Sequence, residues 1–387
     1  MGKVKPRVLV DTFHLFNAIT GTRTYTTELC KGLENLESPL CEFIFYPAWR
    51  KSDNSNFLKG RNSIFKKIIV HISYFGWKQV ILPYLILVKK VDIILAADYM
   101  LPVIKFRAKG ISVYHDTFYW ELKKGYNPVW RWYFLKFLNL SLSKDSLIIT
   151  TSHYSKSRIE SVIKPQVPVV PLYQCPKEMT SFLNNETKVL NMLKGKSYFL
   201  HVGVFDKRKN ISTLIKAFKF FKEQHPDSKE LLVLVGSRAV TYFHDSYSEV
   251  LNLIESNNLV DQVILTGHVS NEELAFIYNK ATAYIFPSKE EGFGIPCLEA
   301  MRAEIPLIIS DQKALLEITD GAALVFPVED VKCLAGRMYE VLNHNKREQL
   351  IEKGRKRLAN FSREKFAQGA DHIIHNHFKK YESSPST

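Results

Sequence analysis

The 387-residue chain has no closely spaced cysteine pair. Cys30, Cys41, Cys175, Cys297 and Cys333 are odd in number and scattered, with no C-x-x-C spacing. That argues against a disulfide framework and a zinc site, and suits reduced thiols in a cytosolic protein. Long apolar runs are also missing. The longest, Val80 to Val88, is too short to span a bilayer and contains Pro83. The opening Met1 to Val10 is a short basic leader without the apolar stretch or cleavage site of a signal peptide. A soluble or peripheral protein is expected. There is no short-period repeat, no low-complexity tract and no D-x-D pair anywhere in the chain.

Acidic residues are scarce in one half only. Residues 1–180 hold 26 Lys+Arg against 13 Asp+Glu, whereas residues 181–387 hold 27 against 26. Nearly all of the formal charge of +14 therefore sits in the first half. Such an excess fits nucleic acid, an anionic membrane face or a phosphorylated substrate. The 46% apolar and 24% charged composition excludes wholesale disorder. The length suggests two or three domains, at about 150 residues each.

The pattern along the chain is strand, helix, strand. Arg7 to Asp11 reads as a buried strand. A loop containing Gly21 follows, then a helix around Tyr25 to Leu36. Val91 to Ala96, Ile111 to Tyr114 and Ser146 to Thr150 read as further strands. Residues 176–195 are polar and read as a linker, after which the pattern restarts at Tyr198 to Val202. Ile211 to Phe221 has helical spacing. Leu231 to Val235, Val263 to Leu265, Ala283 to Phe286 and Pro306 to Ile309 read as strands, Asn271 to Lys280 as a helix and Arg363 to Lys380 as a long helix. Glu382 to Thr387 reads as a frayed tail. This alternation predicts an α/β chain of two doubly wound parallel-sheet domains with the active site in the crevice between them.

Three constellations could carry chemistry. In Ser288 to Ala300 a buried strand gives way to a glycine loop, and Pro296 suits the first position of the next helix. The glycines allow close backbone approach, and the helix N-terminus offers N–H groups to an anion. Glu299 falls about one turn into the helix, where a carboxylate can accept two hydroxyl hydrogen bonds. Glu291, read as the end of the strand, can address a second polyol. Next, Asp206-Lys207-Arg208-Lys209-Asn210 places three cations before a helix, with Asn210 as its N-cap and Arg208 able to grip a phosphate bidentately. Finally, His115 in Tyr114-His115-Asp116 sits at the carboxyl end of a strand, where ligands bind in such sheets.

In this order, these segments closely resemble the retaining glycosyltransferases of family four, which have the GT-B fold of two Rossmann-like domains. Glu291 to Glu299 is similar to the family's E-x7-E motif, and Arg208-Lys209-Asn210 to its phosphate-binding stretch. Leu265 to Val269, followed by Glu273-Leu274, resembles its base-binding segment. His115-Asp116 resembles its N-terminal histidine motif, Ser152 to Lys156 its serine-led helix start, and Gly21-Thr22-Arg23 its first glycine loop. Three positions depart from the pattern: Val204 replaces an arginine often found after Gly203, Glu304 stands near a usual glycine, and the first loop has one glycine where two are common.

The resemblance implies an acceptor domain over 1–180, a nucleotide-sugar domain over 181–362, and a helix and tail over 363–387 that pack back toward the first. It implies transfer of a hexosyl group, mannosyl first, from a nucleotide-diphosphate sugar to a saccharide or lipid-linked saccharide in surface polysaccharide synthesis. His115, Arg208, Lys209 and Glu291 would be catalytic. Gly21, Gly203, Val269, Gly292, Phe293, Gly294, Ile295 and Glu299 would bind the donor, GDP-mannose or a UDP-sugar. No metal or separate cofactor is expected. The alternatives are a sugar-nucleotide epimerase on the same fold and a basic nucleic-acid-binding protein, the latter disfavoured by the absence of any recognised motif. Aromatic and apolar residues interleaved with cations at Phe57 to Arg61, Ile64 to Ile69, Trp77-Lys78, Lys89-Lys90 and Trp130 to Lys136 suit an anionic membrane surface. A cytoplasmic location is expected, with peripheral attachment to the inner face of the plasma membrane as its extension.

Overall fold

A computed structural model describes residues 5–16, 21–54, 64–122, 127–179, 187–239 and 245–382. The chain divides into two compact units. One comprises residues 1–175 with 361–387, the other residues 176–360.

The first unit holds six parallel strands: β1 (Arg7–Asp11), β2 (Glu42–Tyr46), β3 (Ile93–Ala96), β4 (Lys109–Tyr114), β5 (Leu147–Thr150) and β6 (Val169–Pro171). Their order is β2-β1-β3-β4-β5-β6. The central strands are buried along nearly their whole length, as a parallel sheet covered on both faces requires. Strand β2 is half-exposed and rich in aromatics, and β6 is three residues long. Neither shows the continuous apolar run that reveals the others.

The helix after β1 spans Gly21–Glu34, four residues earlier than its apolar spacing suggests. Gly21 therefore lies in this helix and not in a loop. The helix Arg363–Glu382 completes this unit. Phe366, Ala367, Ala370 and Ile374 join the core formed by Val8, Val10 and Leu29. Arg363 pairs with buried Glu28, and Asp371 accepts the amides of Leu40 at 2.6 Å and Cys41 at 3.1 Å.

The second unit holds β7 (Tyr198–Val202), β8 (Leu231–Val235), β9 (Val263–Gly267), β10 (Ala283–Phe286), β11 (Leu307–Ser310) and β12 (Leu324–Phe326). All are parallel, in the order β12-β11-β10-β7-β8-β9. The helix Ile211–Gln224 buries Leu214, Ile215, Phe218 and Phe221 against Phe199 and Leu232. The stretch read as a linker contains a short helix, Lys188–Leu193, capped by Thr187. Beyond β8, Gly236 adopts φ 149°, and a side chain there would meet the Gly203 carbonyl oxygen at 1.8 Å. Only glycine permits that approach.

Both sheets reverse their strand order once, between β1 and β3 and between β7 and β10. At such a reversal the neighbouring crossovers leave on opposite faces and open a crevice beyond the carboxyl ends. In the first unit this place is filled from within. Lys78 Nζ lies 2.5 Å from both Asp11 Oδ2 and Asp98 Oδ1, and the lysine is fully buried. A π-helical turn, Trp77–Ile81, carries it between the helices Ile64–Gly76 and Leu82–Val88. Trp77 Nε1 donates to Asp11 Oδ1 at 2.9 Å and the Tyr74 hydroxyl to Asp98 Oδ2 at 2.9 Å. Lys78 is thus not a surface cation facing a membrane, as its sequence suggests, but the centre of a buried ionic hub. Burial alone would lower the Lys78 pKa, yet the two carboxylates outweigh it and raise it. Burial likewise opposes the charge on Asp98, but Lys78 and His14 hold its carboxyl below the ordinary range.

Lys78→Met should destabilise the first unit by about 3–5 kcal/mol, because it strands two buried carboxylates. All five tryptophans (Trp49, Trp77, Trp120, Trp130 and Trp132) lie in this unit, so denaturant unfolding followed by their fluorescence reports on it alone. Asp98's contribution to stability is full above the unfolded carboxylate pKa of about 3.9 and is lost as pH falls through the folded value. A midpoint unchanged from wild type at neutral pH would contradict the ionic hub.

Candidate nucleotide-sugar site

The second switch point is built differently. Gly203 follows β7, and Lys207–Lys209 form a 3-10 turn that leads into the helix Ile211–Gln224. Asp206 caps that turn and also holds the Arg208 guanidinium, through Nε at 3.2 Å and Nη2 at 3.1 Å. Arg208 therefore already has a bidentate carboxylate partner. Asn210 occupies the expected cap position without capping. It is left-handed (φ 54°), its amide donates to the Pro287 carbonyl at 3.1 Å, and its oxygen accepts from Thr213 at 2.8 Å. With the Lys289 amide donating to the Arg208 carbonyl at 2.8 Å, these bonds join the loop after β7 to the loop after β10.

Lys209 and Glu291 meet at that junction. Lys209 Nζ lies 2.6 Å from Glu291 Oε1 and 4.9 Å from the centre of the Phe286 ring. Both side chains are largely buried. Glu291 stands in the loop five residues beyond the end of β10, not at the strand end, and its carbonyl accepts from Gln312 Nε2 at 3.2 Å. Gly294 takes φ 112°, and a side chain there would meet Leu315 Cδ2 at 2.8 Å. The helix Ile295–Arg302 starts directly after it, with Pro296 in its first turn. Gly292 precedes Phe293, which is buried.

Glu299 projects from the fifth position of that helix. It is buried and accepts the Tyr278 hydroxyl at 3.1 Å. Burial raises its pKa, against the opposing pull of Lys177, Tyr278 and Arg302. A carboxylate kept short of partners in a buried place is primed to accept hydroxyls from a ligand. Val269 is buried just before the helix Asn271–Lys280, which begins with a full capping box between Ser270 and Glu273. Lys209, Glu291, Gly203 and the Gly294 helix start thus converge at one carboxyl edge. Sequence reasoning missed Tyr278 and Gln312, which lack any motif and are recognisable only by whom they touch.

Two predicted residues belong to the other unit. His115 follows β4, and its Nε2–H donates to the Ala97 carbonyl at 2.9 Å. The ring makes edge contacts with Tyr25 and Tyr99, and burial lowers its pKa, which favours the neutral form. Gly21 lies in the helix after β1. Of the departures from the family pattern, Glu304 has φ 54°, the left-handed conformation that glycine favours, and it pairs with Arg355 at 3.1 Å.

Two parallel six-stranded sheets with this site at the second switch point define the GT-B class of two Rossmann-like domains. The fold matches sucrose-phosphate synthase from Thermosynechococcus elongatus with a TM-score of 0.65 at 20% identity, over 97% of this chain and 100% of that one. It matches a glycosyltransferase from Rickettsia africae with a TM-score of 0.66 at 15% identity, over 97% and 99%. Residues 184–357 match the family model glycosyl transferases group 1. Among curated relatives, it is 26% identical to O-antigen chain mannosyltransferase B of Escherichia coli, over 60% of this chain and 61% of that protein. It is 30% identical to O-antigen chain mannosyltransferase RfbU of Salmonella typhimurium, over 51% and 52%. The matched region thus spans between half and two thirds of those relatives' length.

Because charging Glu299 in the folded protein is unfavourable, Glu299→Gln should leave the thermal midpoint unchanged or raise it. A group with a raised folded pKa weakens the fold above that pKa, and the effect vanishes below the unfolded value. The gain should therefore be larger at pH 8 than at pH 4.5. A variant less stable than wild type at pH 8 would contradict this.

Proposed function

We propose that the protein is a retaining glycosyltransferase that moves a mannosyl group from GDP-mannose to a saccharide or lipid-linked saccharide during surface polysaccharide synthesis. The observation that carries this reading is the convergence of Lys209, Glu291, the Gly294 helix start and Glu299 at one switch point. The named mannosyltransferase relatives support the choice of sugar.

In this reading Lys209 leaves Glu291 when the donor arrives. With Arg208 it neutralises the diphosphate as it departs, aided by the N–H groups of the helix Ile295–Arg302. Glu299 and Tyr278 hold the ribose diol. Glu291, released from Lys209, accepts hydroxyls of the donor sugar beside the backbone of Gly292 to Ile295. These groups are positioned before the reaction, so they stabilise developing charge with little reorganisation.

Membrane association is part of the same proposal. No helix among the described residues is long and apolar enough to cross a membrane. Ile69, Ile72, Val80, Ile81, Tyr84, Leu87 and Val88 are nevertheless exposed on consecutive helical stretches. The helix Pro128–Ser141 packs beside them through Phe75–Phe137 and exposes Val129, Trp132 and Leu140. Lys89, Lys90 and Lys136 border this surface. An apolar face rimmed by lysines suits an anionic leaflet, where each cation contributes about 1 kcal/mol. The Phe57 to Arg61 segment lies outside the described residues.

Two measurements test these statements. In a nucleotide-release assay over a panel of nucleotide sugars, GDP-mannose should be hydrolysed or transferred fastest. Lys209→Ala and Glu299→Ala should each lower turnover about 100-fold or more, as for other preorganised electrostatic groups. Near-normal turnover in both variants would refute the site. For the membrane, flotation with vesicles containing phosphatidylglycerol should carry the protein upward at low salt and much less after Ile72→Glu with Tyr84→Glu. Equal flotation of wild type with neutral vesicles would refute the leaflet preference.

A further inference from the structure

His201 is the penultimate residue of β7, one of the two strands flanking the second switch point. No sequence motif singles it out. Its side chain is buried, and Nδ1 lies 3.0 Å from the carbonyl oxygen of Ile285 on β10. A carbonyl can only accept, so Nδ1 carries the proton and Nε2 keeps its lone pair. Nε2 is buried and meets no hydrogen-bond partner among the described residues. Leaving a buried polar atom unpaired is unfavourable and calls for an explanation.

Gly203 leaves room for an added atom beside Nε2. A methyl group placed on Gly203 would stand 3.5 Å from His201 Nε2 and 3.8 Å from Lys209 Cε, and would meet nothing closer. A ligand atom therefore fits where Gly203, His201 and Lys209 converge. The ring lies nearly parallel to Tyr284, whose hydroxyl donates to the Val202 carbonyl at 3.3 Å, and it neighbours Phe286. The charged groups facing it are Lys209 and Glu291. Burial, with Lys209 adding to it and Glu291 opposing, pushes the His201 pKa down to about 4. In the free protein the imidazole is neutral.

Charge balance then matters. Arg208 is paired with Asp206 and Lys209 with Glu291, so these four groups sum to zero. A pyrophosphate diester carries two negative charges, and the pairs alone bring no net positive charge to match it. We infer that His201 is a proton-linked contact for the pyrophosphate of a nucleotide sugar: binding draws one proton from solvent onto Nε2, which then donates to a phosphate oxygen. This rests on the nucleotide-sugar reading above and adds to it a residue and a pH dependence. No bond in the ligand breaks. His201 is a binding and positioning residue in this step.

Isothermal titration of the full chain with GDP-mannose and with UDP-glucose, in buffers of different ionisation enthalpy, tests it. The pyrophosphate of these probes does not titrate near neutrality, so its own protons do not enter the balance. Wild type should take up a measurable fraction of a proton per ligand bound at pH 6.5. His201→Asn, which can still donate toward Ile285, and His201→Gln should lose that uptake. Wild-type affinity should fall by up to about tenfold per pH unit between the free and bound pKa values of the histidine, whereas variant affinity should stay flat. The difference between wild type and variants isolates His201 from Glu299, whose pKa is raised by burial and which can exchange a proton of its own. Nitrogen-resolved NMR of the wild-type histidines gives a measure independent of the variants: one neutral Nδ1–H ring should become imidazolium on ligand addition. Tight binding with no proton uptake, with uptake equal in the variants, or with unchanged histidine shifts would overturn the inference. Failure of both probes to bind wild type would instead overturn the nucleotide-sugar reading, and this inference with it.

Discussion

A lysine bridging chain segments across a strand-order reversal is the interaction on which each unit depends. At the first reversal Lys78 joins the ends of β1 and β3 through Asp11 and Asp98. At the second, Lys209 joins the loops after β7 and β10 through Glu291. The two pairings share short distances but not consequences. Lys78 has two carboxylates, supporting bonds from Trp77 and Tyr74, and no solvent contact. Removing either sign of charge there leaves the other buried and unpaired. Lys209 has one carboxylate and some exposure, so its pair is less enclosed than the hub around Lys78. The same kind of bridge is fully buried in one unit and borders solvent in the other.

This contrast explains where function gathers. Parallel sheets offer a crevice at each reversal as a consequence of topology. In the first unit a π-helical turn directs Lys78 into that place. In the second unit the loops after β7 and β10 are stitched to each other by Asn210 and by the Arg208 carbonyl, and the glycine at 203 keeps a side chain away from His201 and Lys209.

Much of this was legible in the sequence. Continuous apolar runs mark strands buried on both faces, so β1, β7, β8 and β10 could be read to the residue or nearly so. The carboxylates and cations of the site stand in motifs with fixed spacing, so Lys209, Glu291 and Glu299 could be named. What was hidden has a common cause. Strand β2 is amphipathic and aromatic, while β6 and β12 are three residues long, below the length at which periodicity means anything. Lys78 looked like a surface cation because its partners are 67 and 20 residues away. Asn210 looked like a cap because the residue type suits one, but its left-handed backbone turns the side chain to Pro287 instead. Tyr278 and His201 carry no local pattern at all. Tertiary contacts alone give them meaning.

The path of the chain has a consequence for how the protein is made. The second unit is a continuous stretch, residues 176–360, whereas the first needs residues from both sides of it. As the chain leaves the ribosome, the second unit can close its core while the first still lacks Phe366, Ala367, Ala370 and Ile374. Until the helix Arg363–Glu382 has emerged, the amides of Leu40 and Cys41 wait for Asp371 and buried Glu28 waits for Arg363. The half synthesised first is thus the half completed last. Its exposed apolar surface during that interval is the stage at which nascent chains are most prone to aggregate.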